Sequence, residues 1–262
     1  MAQRGEAFRK EAKRRIIEYL VGREGASPSE LAEAVGVSRV TLSILLDELV
    51  DKGVLTRQGE RSYSLLSDSV AVLLRMGIES AEIITVDLCG REVRRNKMSL
   101  VPSMSYADNA ARLLSIAERH AAELSAEGRE PYCAVICYGE LSQRGIPKSF
   151  ELFSGKELLE RGLSHYDGAL LYLDGTDRTS YLTLNGRTVA SGRISEKVAS
   201  EMRSALGLIK PQRVILAGAD EAMRASAESA TVFRGAEFSF IPPSELRPDE
   251  RAALLMLMEK RI

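Results

Sequence analysis

"SPSELAEAVGVSRVTLSILLDELVDKGVL", residues 27–55, is the stretch whose punctuation decides the fold of the amino-terminal part. Ser27 is an N-cap candidate, with Pro28 at the first helical position and Glu30 three residues after the cap. A helix is therefore expected from Pro28 to about Val35. Gly36 breaks it. Ser38 caps a second helix that turns Leu42, Leu45, Leu46 and Leu49 to one side and ends at Gly53. Upstream, "AFRKEAKRRIIEYLVGREG" places Ile16, Ile17, Leu20 and Val21 on one helical face and stops at Gly25. Downstream, "VLTRQGERSYSLL" reads as two short strands around a turn at Gln58-Gly59.

Helix, helix, tight turn, helix and hairpin is the layout of a winged helix-turn-helix. The quoted stretch closely resembles bacterial transcriptional regulators of this type, and the resemblance assigns residues 1–66 to a DNA-binding domain. A three-helix interaction module of the same shape is the alternative. With its leucines inward, the helix from Ser38 presents Ser38, Arg39, Thr41 and Ser43 near its N-terminal end. That end enters the major groove in helix-turn-helix proteins, where Arg pairs with guanine and Ser or Thr takes either role. Arg57, Gln58 and Arg61 sit on the hairpin, within reach of phosphates or the neighbouring minor groove. Lys10, Lys13, Arg14 and Arg15 give the first helix a basic start, or simply a solvated face. One copy contacts few bases, so the expected partner is a double-stranded operator bound by a homodimer.

The whole chain of 262 residues is long enough for two domains or one large one, and its 45% apolar and 28% charged content is that of an ordinary globular protein. A formal charge of −1 excludes a chain that is basic throughout, so nucleic-acid contact must come from a local patch. No run approaches the roughly 18 apolar residues of a membrane span. The start, "MAQRGEAFRKEAKRR", lacks the apolar core of a secretory signal, and a cytoplasmic location is expected. Cys133 and Cys137 lie in "PYCAVICYG", an apolar run that reads as a buried strand. With two histidines, His120 and His165, and no second Cys pair, these thiols are expected as small core residues, not metal ligands.

From residue 67 the pattern changes. "VAVLLRMGI", "AEIITVDLCG" and "REVRRNKMSLV" read as three successive strands. "SYADNAARLLSIAERHAAEL" follows as an amphipathic helix, and "CAVICYG" as a further strand. "GALLYLD", "TSYLTLN" and "RTVASGRI" then form a meander with Asn185-Gly186 as a two-residue turn. "EKVASEMRSALGL" is expected as a helix, "RVILAGA" as a buried strand and "DERAALLMLMEK" as a closing helix. Three strands, a helix and a strand, repeated, resemble the actin-like fold of sugar kinases. Together with the amino-terminal reader, the chain resembles the ROK family, in which repressors and sugar kinases share a domain. The expected fold class is α/β: a winged helix-turn-helix over 1–66, then a reduced actin-like, ribonuclease H-like ROK domain over 67–262.

The resemblance also says where nucleotide phosphates would lie. ROK kinases open the domain with a Gly-Asp-Gly-Gly-Thr type hairpin, and the corresponding stretch here is "MGIESAEIITVDLCGREV". Gly77 and Ile78 match, Glu79 takes the acidic position, and Ser80-Ala81 replace the glycine turn, so close approach of an anion to this backbone is not expected. The second loop of the family, a glycine-rich run ahead of an apolar strand and Asn-Gly, places Gly175 and Thr176 on its first positions. Asp177, Thr179 and Tyr181 then stand where glycines belong. A carboxylate at about 4 Å from a phosphate is repelled by several kcal/mol at intermediate dielectric, and Tyr181 fills the space of a nucleotide. A plain β-meander explains the same residues.

The family's Asn-Asp pair, whose carboxylate is the general base, has no counterpart between Gly139 and Tyr166, where Asp167 and Asp174 are the nearest acids. The Gly-His sugar contact and the Cys-rich zinc loop are absent from the sequence as well, and His120 and His165 are expected at the surface. The resulting expectation is a DNA-binding transcriptional regulator, of repressor type, that is not an enzyme and carries no cofactor. Its ROK-like domain would serve dimerisation and response to a small-molecule effector of unspecified identity. An active ROK-type sugar kinase with a regulatory reader is the alternative.

Overall fold

In the computed structural model of the chain, the described residues are 2–59, 62–66, 69–193, 210–230 and 233–260. The first helix, α1 (Ala2–Leu20), is followed by α2 (Pro28–Val35) and α3 (Arg39–Asp51). The signals around α2 act as their chemistry requires. The Ser27 side chain accepts from the Glu30 N–H, and the Glu30 carboxylate accepts from the Ser27 N–H at 2.8 Å. Gly36 then leaves the helix in the left-handed conformation, φ 73°. Strands β1 (Leu55–Gln58) and β2 (Ser62–Leu65) pair antiparallel, and Ala26 exchanges two backbone hydrogen bonds with Tyr63, adding a third short segment to the wing.

The body consists of two lobes with the same topology. In the first, β3 (Ser69–Met76), β4 (Ser80–Asp87) and β5 (Glu92–Ser99) form an antiparallel meander. Next, α4 (Tyr106–Ala126) crosses back, and β6 (Glu130–Cys137) and β7 (Phe150–Ser154) extend the sheet in parallel, giving the order β5-β4-β3-β6-β7. After α5 (Gly155–Gly162) the scheme repeats with β8 (Ala169–Asp174), β9 (Thr179–Leu184) and β10 (Arg187–Arg193). Strands β11 (Arg213–Ala217) and β12 (Glu237–Ile241) complete a sheet of order β10-β9-β8-β11-β12. Helix α6 (Glu221–Ser229) lies between β11 and β12, and α7 (Pro248–Glu259) ends the described chain. The expected helix over 196–208 lies outside the described residues.

Alternation along the strands explains the layers. On β3, Val70, Val72 and Leu74 face α4, with Leu113, Leu114 and Ala117, whereas Ala71 and Leu73 face inward. The inner layer consists of α5 and α7: Leu159 and Leu163 pack on the second sheet, and Ala253, Leu254 and Leu257 on the first. The two helices meet where Gly162 comes so close to Pro248 that a Cβ would stand 2.4 Å from its carbonyl oxygen. The reader is not a separate bead. Its core residues Ile16, Leu20, Leu45 and Leu49 belong to the same buried cluster as Leu73, Ile84, Leu254 and Met258. A boundary at residue 66 therefore marks a change of architecture within one continuous core.

Candidate functional site

Two places carry the sequence-derived candidates: the outer face of the reader and the junction of the two lobes. On the reader, α3 buries Leu42, Leu45, Leu46 and Leu49 as expected. Ser38 is committed to the helix itself, since its Oγ accepts from the Thr41 N–H at 3.1 Å and lies 2.9 Å from Thr41 Oγ1. Both hydroxyls thus already have a partner at the helix start. Arg39 and Ser43 are exposed beyond them, and so are Val40 and Ile44, which sequence reasoning left out.

Arg57 is also tied. Its Nε and Nη2 donate to the Tyr63 hydroxyl at 3.1 and 2.7 Å, and Nη2 lies 3.3 Å from Asp47 on α3. The side chain braces the wing against the third helix and remains 54% exposed. Gln58 remains exposed at the hairpin tip, and Arg61 lies outside the described residues. The basic start of α1 is largely paired: Lys13, almost fully buried, reaches Glu48 at 2.7 Å, Arg14 bridges Glu11 and Glu18, and Arg15 reaches Glu11. The pair Lys13–Glu48 pins α1 to α3.

At the lobe junction the two loops that the resemblance aligns with phosphate hairpins face each other. Residues 77–79 turn between β3 and β4, and residues 175–178 between β8 and β9. Asp177 is buried, and its carboxylate accepts from the backbone N–H of Ile78 and Glu79, both at 2.9 Å, and from Ser80 N at 3.2 Å. The shortened hairpin is thus still an anion cradle, which corrects the expectation that its backbone could no longer be approached. The anion is this chain's own carboxylate. A Cβ on Gly77 would lie 2.2 Å from Asp177 Oδ1, so the glycine is what admits it. Glu79 points elsewhere and pairs with Arg193. Asp177 is held in turn by Asp174, whose Oδ1 accepts from the N–H of Thr176 and Asp177, both at 3.0 Å. Gly175 lies so close to Ala219 that a Cβ would stand 2.6 Å from its Cα.

Behind this latch the lobes are joined by buried charge. Arg75, on β3, pairs with Asp174 of the second lobe and with Asp249 at the start of α7. Arg247 reaches Glu82 at 2.6 Å and the Thr176 hydroxyl at 2.9 Å. Arg95 grips Glu250 through two parallel bonds of 2.9 Å. The Tyr138 hydroxyl donates to Asp249 at 2.8 Å.

Burial alone would drive these groups toward neutrality, and the neighbouring charges overrule it. Desolvation pushes Asp174 up, but Arg75, Arg247 and the N–H groups of Asp177 and Thr176 hold it below its ordinary range. Glu250, raised by burial, is likewise held down by Arg247 and Arg95. Arg75 stays charged against desolvation because Asp174 and Asp249 face it. Tyr181, placed by the sequence in nucleotide space, is buried against Tyr138 and Tyr172, with ring centroids 5.8 and 6.3 Å apart.

The sequence reading missed Arg75, Glu82, Arg95, Arg247 and Glu250 altogether. A signal existed for two of them: "SVAVLLRM" holds Arg75 and "SAEIITVD" holds Glu82 between apolar neighbours, and burial permits such a charge only with a partner. The partner's identity could not be read, because it comes from the far end of the chain. The histidines are placed apart, His120 on Thr85 at 2.8 Å and His165 exposed beside Tyr166. Cys133 and Cys137 are buried free thiols in β6. Among the described residues no helix is long and apolar enough to cross a membrane.

The open space lies elsewhere. A cavity of about 630 Å³ sits between α1 and the body, lined among others by Arg14, Glu18, His165, Tyr166, Ser239 and Arg251. Arg251 also donates to the Val21 carbonyl at 3.3 Å, linking α7 to the end of the reader's first helix.

Residues 12–62 match the MarR family. Over its whole length the chain shares the fold of a ROK family transcriptional regulator, a homolog of the E. coli MLC protein. The TM-score is 0.61 at 9% identity, over 97% of each chain. The ethanolamine utilization protein EutJ from Carboxydothermus hydrogenoformans aligns with a TM-score of 0.48 at 13% identity, over 81% of this chain and 96% of that one. A Bacteroides thetaiotaomicron protein with an actin-like ATPase fold aligns at 0.45 and 10% identity, over 72% and 96%. No curated protein matches the chain. The fold is that of an amino-terminal winged helix-turn-helix followed by a two-lobed actin-like body.

Proposed function

We propose that this chain is a DNA-binding transcriptional regulator, of repressor type and cytoplasmic, whose body performs no phosphoryl transfer. The observation that carries the reading is the seat of Asp177. A nucleotide phosphate entering the lobe junction would have to displace a buried carboxylate from three backbone N–H groups, next to a buried cluster of ion pairs. The reader, by contrast, keeps the exposed N-terminal end of α3 that a major groove requires.

The body then acts by geometry. As a homodimer it sets the spacing of two readers, and binding of an effector shifts the population toward an orientation that fits, or misfits, the operator half-sites. The cavity walled by α1 and α7 supports such coupling, since reader and body both contribute to its walls.

The test is a mobility-shift assay with the full chain against its own upstream region and against random duplex at low salt, paired with calorimetry using ATP and magnesium. Retarded duplex and no nucleotide heat are expected. ATP binding at millimolar concentration or tighter would favour the kinase alternative, and failure to retard any duplex would overturn the regulator reading.

A further inference from the structure

The face of α3 that points away from the core is unusual for a solvated surface. Val40 is 74% exposed and Ile44 is 45% exposed, one turn apart on the same side of the helix. Arg39 and Ser43 flank them. A β-branched pair standing in water gains nothing for the fold, because the apolar contacts of α3 are made by its four leucines on the opposite side. The hydroxyls best suited to polar readout, Ser38 and Thr41, are already engaged in the helix cap. The polar candidates are thus partly spent, and the apolar ones are free.

The major groove has one apolar feature, the C5-methyl of thymine. We propose that Val40 and Ile44 read thymine methyl groups in the operator half-site, with Arg39 supplying the adjacent polar contact. This rests on the DNA-binding reading above and adds to it a base class and two residues. Four residues of helix advance about 6 Å, close to two base steps of about 3.4 Å, so the thymines lie within two or three base pairs of each other. The occupant is DNA and not a protein because Arg39 stands beside the pair with no carboxylate partner among the described residues. The N-terminal helix end beneath it also favours a polyanion.

The experiment starts from duplexes selected from a random library by the full chain. Each thymine of the selected half-site is replaced by deoxyuridine, which removes the methyl and keeps the base pair. At one or two positions the wild-type protein should bind about fourfold more weakly per methyl lost. Val40→Ala and Ile44→Ala should each bind the thymine site more weakly and each lose the preference for thymine over deoxyuridine at one position, and the double variant should lose it at both. Both side chains are exposed, so unchanged thermal melting is expected and is measured alongside.

Duplex binding that ignores every deoxyuridine substitution would overturn the inference while leaving the DNA-binding reading intact. So would variants that retain the full thymine preference, or that change the oligomeric state in ultracentrifugation and not the discrimination. Absence of any selected duplex overturns the DNA-binding reading itself, and the inference falls with it.

Discussion

Asp177 and Gly77 form a pair that neither residue explains alone. The buried carboxylate accepts from three part-buried N–H groups, and the missing Cβ leaves room for it. A charged hydrogen bond contributes about 1.5–3 kcal/mol, and an orphaned buried donor costs about 1–3 kcal/mol. Asp177→Ala should therefore lower the urea unfolding free energy by about 3 kcal/mol. Gly77→Ala should do comparable harm by pushing the carboxylate off its seat. In an Asp177→Gly background the same Gly77→Ala change should cost at least about 1 kcal/mol less, because the obstacle is gone. Additive costs in the four-variant cycle would show that the two residues do not interact.

Among the elements, the contact between α5 and α7 decides how close the lobes can come. Replacing a helical glycine by alanine ordinarily stabilises by about 1 kcal/mol. At Gly162 the added methyl would meet the backbone of Pro248 at 2.4 Å, and backbone cannot swing aside as a side chain can. Overpacking of this kind costs about 1–3 kcal/mol, so the unfavourable effect wins. Gly162→Ala should lower the melting temperature, whereas the control Gly5→Ala, with nothing within 4 Å, should not. A rise in melting temperature for Gly162→Ala would mean that the helices are free to separate at this point.

For the whole molecule, the buried charges mark where the two ends of the body sequence meet. Removing one member of such a cluster leaves its partners uncompensated, which costs about 3–5 kcal/mol. Arg75→Met is expected in that range near neutral pH. The pH dependence has a definite sign. Asp174 and Glu250 are held below their ordinary range, so their contribution is present above roughly pH 4 and is lost as the pH falls through the depressed values. Without Arg75, Asp174 keeps its burial penalty and loses its main attraction, so it takes up a proton at higher pH. The stability gap between wild type and Arg75→Met, followed by urea titration from pH 7 to pH 4, should therefore narrow. A constant gap would mean that Arg75 acts through packing alone.

The sequence by itself determined the reader and much of the strand order in the body, but left β7, α5, α6 and β12 without an expectation. Capping boxes, glycine stops and strand alternation act over a few residues, so "SPSELAEAVGVSR" and the Asn185-Gly186 turn could be read without any partner in view. It also located the two hairpins that meet at the lobe junction and the side chains they carry. What those side chains do was decided only by tertiary structure. Asp177 lies about a hundred residues from the N–H groups it fills, and Arg75 still farther from Asp249. Such pairings leave no periodicity behind. The same holds for Arg57, whose partners Tyr63 and Asp47 appear only in the fold, whereas the outward face of Val40 and Ile44 follows from the helical spacing that already sends the four leucines inward.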